Sequence, residues 1–108
     1  MTYEDLNALP FGVIGLDATG KVVFYNRAEE VMAGRHADDV VGRNFFEEVA
    51  PCTKVKEFHG RFQEFMAGDE ESKKFFFTFR FEEGNARVQI ILVRGGAGCS
   101  VAVNKIIF

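Results

Sequence analysis

The amino-acid sequence predicts an α+β fold: a five-stranded antiparallel sheet with short helices and one longer helix on one face. Three observations predict it. Two β-rich runs, Phe11 to Asp17 and Lys21 to Asn26, stand near the start around the short loop Ala18-Thr19-Gly20. The middle breaks into short stretches at helical spacing, each ended by glycine or proline. The last third is extended again, in three runs separated by two glycine-bearing turns.

Taken in order, Thr2 with Asp5 forms a helix-start signal, giving a short helix over 3–8 before Pro10. After the first hairpin, Arg27 to Met32 is a short helix stopped by Gly34, and Ala37 to Val41 another stopped by Gly42. Asn44 caps a third, Phe45 to Val49, which ends before Pro51. Phe58, Phe62, Phe65 and Met66 recur at helical spacing until Gly68, which makes the one longer amphipathic helix. Strands then run over Lys74 to Phe81, Arg87 to Arg94 and Ser100 to Phe108, with turns at Glu83-Gly84-Asn85 and Gly95-Gly96-Ala97-Gly98. The last three strands can run as a meander beside the first hairpin.

Composition narrows the function. The 108 residues make one domain, 1–108, with 47% apolar and 27% charged residues, as in ordinary globular chains. Thirteen Lys/Arg against 16 Asp/Glu give a net charge of −3, which argues against nucleic-acid or membrane-surface partners, since both need a cationic face. No apolar run approaches the roughly 20 residues of a membrane span, and no secretory signal is visible, so a cytoplasmic location is expected. Thirteen Phe, two Tyr and no Trp leave two readings open, a solid aromatic core or a wall around a flat organic ligand.

Few side chains carry candidate chemistry. Cys52, just after Pro51, reads either as a small buried hydrophobe or as a thiol able to hold a covalent ligand. Cys99, in a glycine-rich loop, has no such context. Tyr25 and Glu29 lie four apart where a strand gives way to a helical turn, so both can face the space between sheet and helices, or Glu29 can sit with Glu30 on the solvated side. Burial without a cation would keep Glu29 protonated and make it a donor beside the Tyr25 phenol. Arg35 is a surface residue or a lid. His36 and His59 share no metal-ligand spacing, and no phosphate loop or catalytic triad pattern occurs.

The element order is similar to that of a PAS domain, a sensory module with a pocket between sheet and helices. A more specific resemblance lies in the string Gly42-Arg43-Asn44-Phe45-Phe46-Glu47-Glu48-Val49-Ala50-Pro51-Cys52-Thr53, followed by Glu57-Phe58, Gly60 and Phe62. With Tyr25-Asn26-Arg27-Ala28-Glu29, Gly34-Arg35 and the opening Phe11-Gly12, Ile14, Leu16-Asp17 and Gly20, it resembles the photoactive yellow protein family over nearly the whole chain. The resemblance implies a blue-light photoreceptor and no enzyme. Cys52 would carry p-coumaric acid (4-hydroxycinnamic acid) as a thioester, its backbone N–H holding the thioester carbonyl. Tyr25 and Glu29 would donate to the phenolate, Arg35 would gate the pocket, and Ala33, Phe45, Val49, Pro51, Phe79 and Glu83 would line it. A free phenol has a pKa of about 10, so keeping it ionised in an apolar cavity needs such donors. Light would isomerise the double bond from trans to cis, Glu29 would give up its proton, and the unpaired carboxylate would loosen the fold.

The alternative is a chromophore-free PAS module for dimerisation or for sensing another small molecule. A flavin sensor of the kind with cysteine directly after Gly-Arg-Asn is disfavoured, because Phe45 stands there. A haem on His59 is a weaker reading still. Neither the downstream signalling partner nor the output is legible. Where the family usually has a threonine supporting the tyrosine, this chain has Ala33, and Phe77 and Phe81 replace tyrosines. The segment ahead of the first hairpin is shorter than the family's cap: either the chain is a truncated or naturally short form, or its sheet face is covered by something else, and an exposed apolar sheet face would favour a homodimer. Glu83 replaces a methionine that in the family assists dark recovery. We therefore expect a slow return to the dark state, followed as absorbance after a flash; recovery as fast as in a methionine-bearing relative would contradict it.

Overall fold

A computed structural model describes residues 3–81 and 84–106; the expected cap at Thr2, the turn residue Glu83 and the end of the last strand at Ile107 and Phe108 lie outside the described residues. Alternation along the β-rich runs builds the sheet. β1 (Gly12–Leu16) and β2 (Val22–Tyr25) form the opening hairpin. The Asp17 carboxylate closes its turn by accepting the N–H groups of Thr19 and Lys21, both at 2.9 Å, while Gly20 holds a φ of 92° that favours glycine. β3 (Ser72–Phe81), β4 (Gly84–Gly95) and β5 (Gly98–Lys105) follow at the end of the chain. All neighbours are antiparallel in the order β2-β1-β5-β4-β3, so the last strand lies beside the first.

The register gives the sheet two unlike faces. Ile14 opposite Val101, and Ile90 between Phe75 and Val103, turn inward and are buried. On the other face Val23, Phe76 and Val93 remain 53%, 49% and 44% exposed.

The inner face is covered by α2 (Arg27–Ala33), α3 (Ala37–Val40) and the 44–68 segment. Gly34 ends α2 in the left-handed region at φ 70°, and the Glu30 carboxylate accepts the Ala37 N–H at 2.7 Å, which fixes the start of α3. Asn44 caps the next turn as expected, its side-chain oxygen accepting from the N–H groups of Phe46 and Glu47. That turn, Phe45–Val49, has π-helical winding, and Pro51–Thr53 is a single 3₁₀ turn.

Two expectations change in detail. The longer helix is composite: a π-helical turn, Lys56–Gly60, runs into α4 (Arg61–Ala67). Residue spacing cannot separate the two windings, because both bring Phe58, Phe62 and Phe65 to the covered side. The helices are also not all on one face. In α1 (Tyr3–Asn7), Leu6 shares a shallow groove with Val13, Val23 and Phe24 on the outer side of the sheet.

The phenylalanines form a solid cluster. Phe58 is fully buried, with the rings of Phe77, Phe75, Phe45 and Phe46 at 5.2, 5.4, 5.8 and 5.8 Å, mostly edge to face. Arg94 closes the far end of α4, its guanidinium over the Phe65 ring at 4.7 Å and donating to the carbonyls of Phe65, Gly68 and Glu70. Among the described residues, no helix is long and apolar enough to cross a membrane. Phe58→Ala empties the centre of this cluster and should lower unfolding free energy by about 3–5 kcal/mol, measured by urea denaturation.

Candidate functional site

The site is built where β2 turns into α2. Tyr25 is the last residue of β2 and pairs with Ile14, which directs its ring to the inner face. Asn26 follows and is wholly buried. Its side-chain oxygen accepts from the N–H groups of Val13 at 2.8 Å and Glu29 at 3.0 Å, and its amide donates to the carbonyls of Leu6 at 2.8 Å and Phe11 at 3.0 Å. One side chain therefore caps α2 and binds it to β1.

Glu29, in the first turn of α2, is 1% exposed, and its Oε1 has no hydrogen-bond partner among the described residues. Burial raises its carboxyl to a pKa of about 7, with the Lys105 ammonium acting in the opposite sense. Burial, and then the charge of Glu29, hold the Tyr25 phenol well above its ordinary range, so it stays protonated. The Tyr25 phenol is thus an uncharged potential donor, and Glu29 is one in its protonated form.

Cys52 sits within the 3₁₀ turn, partly buried against the core. Thr53 beside it is wholly buried, and its hydroxyl donates to the Ala50 carbonyl at 2.6 Å, which locks the turn. Arg35 comes just after the Gly34 cap, and its Nη1 donates to the Val49 carbonyl at 2.7 Å, tying the end of α2 to the π-turn. Lys54, the charged neighbour of Cys52 in sequence, is paired with Glu47.

Tyr25, Glu29, Arg35 and Cys52 line one cavity of about 690 Å³, and so do Ala33, Phe45, Val49, Pro51 and Phe79. Glu83 lies outside the described residues. Gly34, His36, Asp39, Arg43, Ala50 and Arg80 also line it and were not expected there from the sequence. Gly34 and Ala50 flank residues that were. The exposed Arg43 and Arg80 carry no periodic signal: one is in a loop, and the other is on the edge strand at a position whose alternation points outward.

The two cysteines separate cleanly. Cys99 is buried on β5 opposite Leu16, outside this cavity, and burial pushes its thiol up to about 12. That thiol stays protonated and unreactive. The histidines separate too: His36 is exposed beside Glu30, while His59 stacks on the Phe46 ring at 4.4 Å.

Chemically, the cavity joins a thiol, apolar walls, a phenol and a carboxyl that can each donate when protonated. The unpartnered carboxyl oxygen is what an oxygen-bearing ligand would satisfy. The residues present thus fit a flat acyl group attached to sulfur and ending in an anionic oxygen.

Comparison with known proteins bears on the fold and the family. The PAS fold pattern matches residues 4–99. Photoactive yellow protein from Halochromatium salexigens is 48% identical over 90 residues, covering 83% of this chain and 72% of that protein. The photoactive yellow protein of Cereibacter sphaeroides is 40% identical over 100 residues, covering 91% and 81%. Among solved structures, the photoactive yellow protein domain of the sensor histidine kinase Ppr from Rhodospirillum centenum superposes with a TM-score of 0.91. It is 38% identical, covering 97% of this chain and 94% of that one. In fold, in sequence and in overall shape, the chain belongs to the photoactive yellow protein family of PAS-fold photoreceptors.

Proposed function

We propose that this chain is a blue-light photoreceptor carrying a p-coumaroyl group as a thioester on Cys52, with Tyr25 and Glu29 donating to its phenolate oxygen. The observation that supports this most is the shared cavity, which Tyr25, the buried Glu29 and Cys52 all line. Bound there, the group supplies an anionic conjugated absorber whose double bond isomerises on excitation. The remaining steps belong to the chain. Cys52 anchors one end, with its backbone N–H available to the thioester carbonyl. Tyr25 and Glu29 offset the cost of burying a negative oxygen, which an apolar wall could not do. Arg35, held by the Val49 carbonyl, limits water entry.

Glu29 is the proton store. Releasing its proton leaves a carboxylate at the contact between α2 and β1, with Lys105 the cation that bears on it. An uncompensated interior charge costs several kcal/mol, comparable with the roughly 5–15 kcal/mol that stabilise a small domain. Loosening at this contact relieves the cost and forms the signal.

Loading tests the reading. With activated p-coumaric acid, intact mass should rise by one acyl group and a visible band should appear. Cys52→Ser should abolish both, and Cys99→Ser should keep both. A wild-type chain that stays bare would leave only a chromophore-free PAS module.

Glu29 also sets a pH dependence in the chain prepared without chromophore. Its folded pKa of about 7 lies above the 4.5 of an ordinary glutamate, so the folded state holds the proton more tightly. Below the lower value both states are protonated and nothing is lost. Between the two, stability falls as pH rises, by up to roughly 3 kcal/mol once both states are ionised. Urea titrations at pH 5 and 8 should show this difference, and Glu29→Gln should remove that part of it.

A further inference from the structure

β1 begins with Gly12, whose backbone is not in the left-handed region, so no conformational demand calls for glycine there. Space does. A Cβ on Gly12 would lie 2.5 Å from Oε1 of Glu29, 3.1 Å from its Cδ and 3.3 Å from its Cβ, and these are its three nearest neighbours. The carboxyl thus rests against bare β1 backbone, in the volume that a side chain at this position would occupy.

We propose that Gly12 is a positioning residue for the proton donor: the missing side chain is the seat of the Glu29 carboxyl, and any larger residue there displaces it. What that carboxyl donates to rests on the photoreceptor reading, but the seat is a property of the chain alone.

The surroundings decide which part moves. β1 is paired on both sides, to β2 and, through Gly12 opposite Val103, to β5. α2 cannot retreat without breaking the buried Asn26 bonds to Val13 and Phe11. The carboxyl is the far end of a flexible side chain and borders the cavity, so it swings into the cavity while the fold stays. Lys105 from β5 and Tyr25 from β2 are the ionisable groups that bear on this place, with Arg35 and Glu30 acting on Tyr25.

The test is Gly12→Ala, read in two states. In the chain without chromophore, the Glu29 carboxyl is titrated by its ¹³C resonance. Its pKa should fall by about 1 unit or more as the carboxyl leaves its dry seat. In the loaded chain, loss of one donor should move the visible band to longer wavelength and raise the pH at which the chromophore phenol titrates. In a Glu29→Ala background, Gly12→Ala should change neither the band nor the phenol titration, since no carboxyl remains to displace. Val13→Ala, on the same strand, should weaken packing without moving the Glu29 titration. If Gly12→Ala does not fold, Gly12→Ala with Glu29→Ala should fold; failure of both alike overturns the seat. An unchanged Glu29 titration, or equal spectral shifts with and without Glu29, overturns it too. A wild-type chain that takes no chromophore sinks the photoreceptor reading instead, and the carboxyl titration still decides the seat.

Discussion

The four hydrogen bonds of the buried Asn26 side chain are the constraint on which the site depends. They engage the N–H groups of Val13 and Glu29 and the carbonyls of Leu6 and Phe11 around the point where the chain leaves β2. Because the partners lie in α1, in α2, in β1 and in the segment just before β1, a single amide fixes α2 against the sheet. Tyr25 and Glu29 flank this residue, so their placement follows from it.

The helical layer then divides into two kinds of interior. Around Phe58 the rings pack edge to face and leave no purpose but cohesion. Toward Cys52, Phe45 and Phe79 turn a further surface to the cavity, so the same aromatic residues serve as core and as wall. The phenylalanine-rich composition thus builds a solid cluster and part of a cavity wall within one layer.

Charge is handled in the same divided manner. The two buried ionisable groups of the cavity are a phenol that burial keeps protonated and a carboxyl whose pKa burial raises to about 7, while the guanidinium of Arg35 reaches the rim with a backbone carbonyl as its partner. Inside, neutral donors can solvate an anion without carrying a desolvated charge of their own. In the proposed photoreceptor, loss of the Glu29 proton is what would strain this arrangement, which would make one titratable group the link between the cavity and the stability of the α2–β1 contact.

From the sequence alone came the strands, the Asp17–Gly20 turn, the helix ends at Gly34 and Gly68 and the Asn44 cap. These are encoded over a few residues by period, capping and turn chemistry. The family motif around Cys52 added the rest of the candidate site. Only the tertiary structure decided the π-helical winding, the position of Leu6 on the outer side of the sheet and the burial that separates Cys99 from Cys52. It alone brought Arg43 and Arg80 to the cavity, and only there does the bare backbone at Gly12 meet the Glu29 carboxyl. Such contacts join residues distant in sequence, and spacing along the chain says nothing of two surfaces until the sheet and the helices have packed.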